Sequence, residues 1–212
     1  MGEDQEFWRG LCALGKERSF SQGEHLLRWD DHADTAGVLG IRDGVCKVVN
    51  STRDGRESLV AVRGPGEIVG ELGALTGAVR SASVVALTPV RAAVVGIHVF
   101  DRWLDTDPGA GRQLAAMLAA RILETTRPGA TAHQRVEARL ADRVLFLRER
   151  FGTGERIDAP LTHEDLAAWI GATRAVTTRA LGSLRNRGCL EFGRGWIEIL
   201  DADALQSVAY DG

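Results

Sequence analysis

Short runs of apolar residues, each closed by turn-forming residues, characterise the first hundred positions of the chain. Residues 45–49 and 58–62 are two such runs, and Asp54-Gly55 lies between them. An Asp-Gly pair between apolar runs is a strong hairpin signal, so we expect these two segments to pair as strands. Many short strands of this kind, with no helical crossovers between them, predict a β-sandwich or barrel.

Near residue 100 the apolar spacing changes to that of a helix. Apolar residues then recur at steps of three or four at Leu114, Met117, Leu118 and Ile122. Such a stripe can face its own domain or a partner helix. Pro128-Gly129 interrupts it, and the capping-box spacing of residues 131–134 predicts a new helix. Residues 7–11 indicate a further short helix at the N-terminus.

The last third of the chain has the pattern of two helices followed by two short strands. Thr162 and Thr173 are suitable helix caps, and Gly171 permits a sharp turn between the helices. Residues 191–199 indicate two strands around a Gly-x-Gly turn. Helix, turn, helix and hairpin in this order predict a winged helix-turn-helix over residues 161–200.

Composition narrows the class of protein. The chain has 212 residues, and no stretch approaches the roughly 18 apolar residues of a membrane span. The N-terminus is acidic and lacks the order of a signal peptide, so we expect a cytoplasmic protein. Three scattered cysteines and five isolated histidines provide no disulfide framework and no metal-ligand spacing. We therefore expect no metal site and no enzyme activity.

Charge points to nucleic acid only locally. The formal net charge is −3, but residues 166–190 contain four arginines and no acidic residue. A basic stretch on one helix is what binding to double-stranded DNA requires. If Thr173 caps this helix, four side chains near its start would enter a major groove: Arg174, Thr177, Thr178 and Arg179. Three further arginines would contact phosphates: Arg185, Arg187 and Arg194. The alternative is a solvated helix in a protein-interaction module.

A second candidate site lies in residues 70–82, which we call the cassette. It contains glycines that permit close backbone approach, one arginine (Arg80) and a neighbouring hydroxyl (Ser81). These groups are suited to holding an anion. Glu71 can accept a hydrogen bond from a sugar hydroxyl. The alternative is a loop closed by an ion pair between Glu71 and Arg80.

Together these motifs resemble the cyclic-AMP receptor/FNR family of bacterial transcription regulators, over about residues 20–200. The motifs are Gly-Pro-Gly-Glu-Ile-Val-Gly-Glu-Leu at residues 64–72, Arg80-Ser81-Ala82, and the helix-turn-helix at residues 162–184. The resemblance implies an α+β fold with an N-terminal jelly-roll effector domain (1–110), a dimerisation helix and hinge (111–131) and a C-terminal winged helix-turn-helix (132–212). It also implies a homodimer that contacts RNA polymerase.

The resemblance also assigns roles to residues of the cassette. Arg80 and Ser81 would bind the phosphate of cyclic AMP or cyclic GMP, and Glu71 the ribose 2′-hydroxyl. Gly70 and Leu72 would supply backbone groups, while Thr125 and Thr126 would contact the purine. Rival hypotheses are a regulator of the same fold with a diverged, ligand-independent pocket, a cupin-like enzyme, and a signalling module that binds nucleotide but not DNA.

Two departures from the family pattern stand out. Pro128-Gly129 follows directly after the purine-contacting positions, where the dimer helix of relatives continues unbroken. The recognition helix begins Arg174-Ala175-Val176, where relatives commonly have Arg-Glu-Thr. The glutamate carboxylate that would accept a hydrogen bond from cytosine is therefore missing. We expect the protein to prefer a different DNA site from that of these relatives.

Overall fold

The computed structural model describes residues 3–51, 57–125, 135–152 and 154–210. The chain divides into two compact units, Met1–Glu124 and Thr125–Gly212. The predicted mixture of helices and strands is confirmed, and each unit is treated by itself below. The finer division at residues 110 and 131 remains a prediction.

The N-terminal unit is built around two four-stranded antiparallel sheets, as expected of a jelly roll. Their strand orders are β1-β8-β3-β6 and β2-β7-β4-β5. The strands are β1 (Lys16–Phe20), β2 (His25–Leu27), β3 (Val38–Asp43), β4 (Cys46–Ser51), β5 (Glu57–Arg63), β6 (Ile68–Val69), β7 (Ser83–Ala86) and β8 (Val90–Val95). The predicted hairpin is confirmed, because β4 and β5 pair with Cys46 opposite Arg63.

Helices pack around this barrel and close its core. They are α1 (Glu3–Leu14), a 3-10 helix (Ala33–Thr35), α2 (Glu71–Thr76), α3 (Ile97–Thr106) and α4 (Pro108–Thr125). Phe20, Ile41 and Ala92 belong to the cluster inside the barrel. Phe7 and Phe100 belong to a second cluster between the helices and the sheet. Burial of these side chains supplies the main stabilisation of the unit.

The sequence pattern predicted α1 and α4 but missed α2 and α3. Helix α4 begins at Pro108, a residue favoured in the first helical turn because its missing N–H is not needed there. The sequence left open whether the apolar residues of α4 face their own domain or a partner helix, and the structure shows both buried and exposed ones. Leu114 is buried and Met117 and Leu118 pack in the same core, whereas Ile122 is 64% exposed.

The C-terminal unit is a helical domain with a small sheet. Its elements are α5 (Val136–Phe151), β9 (Arg156–Ile157), α6 (His163–Ile170), α7 (Arg174–Asn186), β10 (Leu190–Gly193), β11 (Trp196–Ile199) and α8 (Ala202–Tyr210). The sheet order is β10-β11-β9. Within the described residues α5 starts at Val136, and the predicted capping box at residues 131–134 lies outside them. Helix α8, which packs on α5, was not predicted.

Local signals in this unit act as the sequence predicted. Thr162 accepts from the Asp165 N–H at 3.0 Å, and the Asp165 carboxylate accepts from the Thr162 N–H, completing a capping box. Thr173 accepts from the Val176 N–H. Gly171 has φ 61°, a left-handed conformation that glycine adopts at little cost. The two helices and the turn between them are therefore confirmed.

Two further properties concern the chain as a whole. Cys12, Cys46 and Cys189 are buried and free. None of the described helices combines the length and the apolar character needed to cross a membrane.

Candidate functional site

Arg80 is the centre of the cassette. Its side chain is buried, with 2% of the residue exposed. The guanidinium donates from Nη1 to the Gly70 carbonyl and from Nη2 to the Gly37 carbonyl, both at 2.6 Å. Burial lowers the pKa of Arg80, and the carboxylates of Glu71, Asp31 and Asp34 oppose that shift. Because an arginine in a protein remains protonated, this is a buried positive charge.

Close approach of the backbone makes this arrangement possible. Gly70 has φ 90° and follows the short strand β6 just before α2. A Cβ at Gly70 would lie 2.9 Å from the Gly37 carbonyl oxygen and 3.0 Å from Nη1 of Arg80. Any other residue would therefore be strained and would crowd the guanidinium.

Glu71 is held by a residue that the sequence pattern did not single out. Its side chain is 5% exposed, and Oε1 accepts from Nη1 of Arg121 at 2.5 Å. Nη2 of Arg121 donates to the Ile68 carbonyl at 2.7 Å. The sequence left open an ion pair between Glu71 and Arg80; the ion pair that the structure gives Glu71 is with Arg121 of helix α4. Arg121 follows Leu114 and Leu118 at helical spacing on the inward face of α4. A charged residue at an otherwise apolar position was the sequence signal that could have identified it as a partner for a buried acid.

The other predicted cassette residues have different environments. Leu72 is 49% exposed, and the backbone role predicted for it stays a prediction. Ser81 is exposed next to Arg80, and Gly70 is half-buried. Thr125 is the last residue of α4. Thr126 lies outside the described residues. The structure therefore brings together Gly70, Glu71 and Arg80, with Gly37 and Arg121 as unpredicted members.

The cassette is chemically suited to an anion with an adjacent hydroxyl. A guanidinium presents a planar fork of donors that matches phosphate oxygens. A buried carboxylate accepts from a hydroxyl group. Among the described residues no cluster of His, Cys, Asp and Glu could hold a metal ion.

The second candidate site is the exposed face of α7. Arg174, Thr178 and Arg179 are exposed, as is the cap Thr173. Within the described part of the chain, neither Arg174 nor Arg179 forms an ion pair. The first turns of the helix therefore present two unpaired guanidinium groups to the solvent.

Thr177 does not belong to this face. It is 0% exposed, and its hydroxyl donates to the Thr173 carbonyl at 3.1 Å. The predicted contact of its side chain with DNA is therefore wrong. Thr177 lies on the inner side of α7, as do Ala180, Leu181 and Leu184. A threonine can satisfy its hydroxyl within the helix, so its polarity alone did not indicate which face it occupies.

The predicted phosphate-contacting arginines are exposed and only loosely engaged. Nη1 of Arg185 lies 3.9 Å from Glu191, and Nη1 of Arg187 lies 3.9 Å from Glu137. Arg194 is exposed in the turn of the β10–β11 hairpin. Ion pairs this long and this exposed are weak, so phosphate oxygens can compete for both arginines.

His163 connects the elements around this surface and was not predicted to do so. Its Nδ1 lies 3.0 Å from the Thr178 hydroxyl. Its ring meets that of Phe192 edge to face, with 5.6 Å between centroids. The first residue of α6 thus contacts both α7 and β10, which positions the recognition face relative to the hairpin.

Comparisons with known proteins give a family for each part of the chain. Residues 17–107 match the family model of the cyclic nucleotide-binding domain, and residues 138–208 match that of the Crp-like helix-turn-helix domain. The chain is 31% identical over 203 residues to the CRP-like cAMP-activated global transcriptional regulator of Mycobacterium tuberculosis, covering 92% of this chain and 90% of that protein. It is 32% identical over 208 residues to the global nitrogen regulator of Synechococcus elongatus, covering 95% and 92%.

Solved structures share the architecture. FixK2 from Bradyrhizobium japonicum superposes with a TM-score of 0.81 at 21% identity, covering 92% of this chain and 96% of that one. A CRP/FNR-family transcriptional regulator from Thermus thermophilus gives a TM-score of 0.75 at 25% identity, covering 92% and 98%. The first of these comparisons supports the fold alone.

Proposed function

The chain belongs to the CRP/FNR family of transcription regulators, and from this premise we propose that cyclic AMP or cyclic GMP bound in the cassette controls its binding to double-stranded DNA. The acting form is a homodimer in the cytoplasm that also contacts RNA polymerase. The observation that carries the proposal is the buried Arg80 fork within a polar cluster that includes Glu71. The M. tuberculosis relative is described as cAMP-activated, which supports the same class of ligand.

In this proposal each cassette residue has a defined task. Arg80 turns its donors from the Gly37 and Gly70 carbonyls to the cyclic phosphate, and Ser81 adds a hydroxyl donor. Glu71 accepts from the ribose 2′-hydroxyl, with Arg121 fixing its carboxylate. Gly70 and Leu72 contribute backbone groups. Thr125 and Thr126 contact the purine at the end of the dimerisation helix.

The DNA-binding half uses the exposed face of α7. Arg174 and Arg179 donate to guanine, and Thr178 contacts a base or a phosphate. The outer arginines, Arg185, Arg187 and Arg194, bind phosphates. Exposed Ile122 and Leu123, at 64% and 68%, support α4 as the face that meets a second copy. Two-fold symmetry then places two half-sites about one helical turn apart.

The proposal is tested by titrating cyclic AMP and cyclic GMP into the purified protein by calorimetry. We expect one of them to bind the wild type and neither to bind Arg80→Ala. The guanidinium bridges two carbonyls, so circular dichroism must show that the variant keeps its fold. Arg102→Ala, which removes an exposed arginine of α3, is the matched control. Unchanged affinity in folded Arg80→Ala would remove the cassette assignment.

A second candidate function is a regulator that binds DNA without a nucleotide. It is favoured by the internal partners of the cassette, since both Nη atoms of Arg80 and Oε1 of Glu71 have protein partners at 2.5–2.6 Å. The discriminating measurement is DNA affinity with and without saturating cyclic nucleotide. A difference of tenfold corresponds to about 1.4 kcal/mol of coupling, whereas identical curves favour the second candidate.

A further inference from the structure

A loop rich in carboxylates lies directly on the cassette. Asp30 N–H donates to the Arg80 carbonyl at 3.2 Å, and Arg80 N–H donates to the Asp31 carbonyl at 2.9 Å. His32 forms a bridge with Val79. The following 3-10 helix, Ala33–Thr35, contacts α2. Residues 30–35 therefore form one edge of the cassette.

This edge carries the carboxylates of Asp31 and Asp34, and the backbone of Asp31 bonds to that of Arg80. Asp31 and Asp34 are both exposed. Burial lowers the pKa of Arg80, and these two carboxylates, after Glu71, oppose that shift. Asp31, Asp34 and Glu71 thus act on the charge of Arg80, and with Arg121 these five side chains together carry a net negative charge.

We propose that Asp31 and Asp34 set the charge selectivity of the cassette, favouring monoanionic cyclic phosphodiesters over dianionic phosphomonoesters such as 5′-nucleotides. This inference rests on the proposed function of the cassette. A cyclic phosphodiester carries one negative charge, whereas a phosphomonoester carries about 1.5 to 2 at pH 7. Each carboxylate repels every negative charge of the ligand. It therefore weakens binding of the phosphomonoester, which carries more charge, more than binding of the cyclic phosphodiester.

The expected size of the effect follows from Coulomb's law. One additional charge at roughly 8 Å from a carboxylate in an aqueous dielectric changes affinity about twofold to threefold. Two carboxylates together then give about fivefold. Because both side chains are exposed, salt screens this contribution, and about 0.5 M salt reduces it strongly.

A purely structural role for these carboxylates makes a different prediction. If they served only to balance the buried charge of Arg80, their removal would lower stability and weaken both ligands equally. Selectivity between a monoester and a diester would then not change.

The experiment compares the wild type with the double variant Asp31→Asn/Asp34→Asn. Competition against a fluorescent cyclic nucleotide measures the Kd of cyclic AMP and of 5′-AMP at low salt and at about 0.5 M salt. We expect the ratio of the 5′-AMP Kd to the cyclic AMP Kd to fall about fivefold at low salt, and cyclic AMP itself to bind about fivefold more tightly. Both changes should shrink at high salt. Asp101→Asn/Asp105→Asn on α3 is the control with the same charge change.

Each outcome decides between the ideas. An unchanged ratio overturns the selectivity role, whatever happens to the affinity for cyclic AMP, and so does an equal change in the control. If 5′-AMP binds too weakly for its Kd to be measured, the affinity for cyclic AMP is the test. A gain in the double variant that shrinks at high salt supports the role of the carboxylates, and no gain overturns it. If neither variant nor wild type binds cyclic AMP or cyclic GMP, it is the proposed function of the cassette that fails.

Discussion

The cassette and the recognition helix both depend on arginine, but they present it in opposite ways. Arg80 is 2% exposed and donates to two backbone carbonyls. Arg174 and Arg179 are exposed and have no ion-pair partner within the described residues. A small anion is bound by a preorganised, buried fork, whereas a DNA duplex requires charges that remain accessible.

This difference determines what a substitution costs. In the cassette, removing a charged side chain leaves a buried partner unsatisfied, so stability and binding fall together. On the recognition helix, replacing Arg174 or Arg179 removes an exposed group that has no ion pair among the described residues. Stability should then be retained while DNA binding falls. The following experiments test this contrast, beginning with the largest expected effect.

Breaking the Glu71–Arg121 pair tests the buried side of the comparison. Glu71→Gln or Arg121→Met leaves one charge without its partner, and we expect a loss of about 3–5 kcal/mol. The double variant should lose less than the sum of the two single changes. Hydrogen exchange in the barrel strands measures the free energy of opening. Additive losses in the double variant would show that the pair is not coupled.

Removing Arg174 tests the exposed side. Arg174→Ala should reduce the preference for the specific site by about 1–3 kcal/mol, because a guanidinium donating to guanine is lost. The melting temperature and the affinity for cyclic nucleotide should not change. Binding is measured by fluorescence anisotropy on the specific DNA site and on random DNA, with Arg102→Ala as control. An equal loss on both DNAs would make Arg174 a phosphate contact.

Thr177 and Thr178 allow a buried and an exposed side chain to be compared at neighbouring positions of one helix. Thr177→Val removes a buried hydroxyl that donates to Thr173, so we expect about 1 kcal/mol of lost stability and unchanged DNA affinity of the folded protein. Thr178→Val should weaken DNA binding severalfold and lower stability less than Thr177→Val does, because the contact that it removes, with Nδ1 of His163, is exposed. Thermal denaturation and anisotropy separate the two effects. A loss of DNA affinity in folded Thr177→Val would return that residue to the interface.

A small effect on stability is expected just after the C-terminal end of α7. Arg187→Ala breaks an exposed 3.9 Å pair with Glu137, which contributes well under about 1 kcal/mol. The slope of log Kd against log salt concentration should fall by about 1 for each half-site, because one phosphate contact is lost. Affinity is measured over a salt series. An unchanged slope would exclude Arg187 from the phosphate contacts.

Much of the architecture could be predicted because its signals are local. The β4–β5 hairpin followed from Asp-Gly between apolar runs, and the helix caps from Thr162 and Thr173. The missed helices have weaker local signals. Helix α2 is six residues long and begins after a glycine with no side-chain cap, so packing in the barrel rather than intrinsic propensity stabilises it.

The two halves of the chain, the family motifs and the residue types at both sites could be read from the sequence, since periodicity, turn chemistry and caps act over a few residues. The partner of each charge could not. Glu71 pairs with Arg121, 50 positions away, and Arg80 bonds to Gly37, 43 positions away. The inward orientation of Thr177, beside a solvent-facing Thr178, likewise became visible only in the folded domain. Contacts of this kind depend on how the sheets and helices pack, and packing is a property of the whole fold.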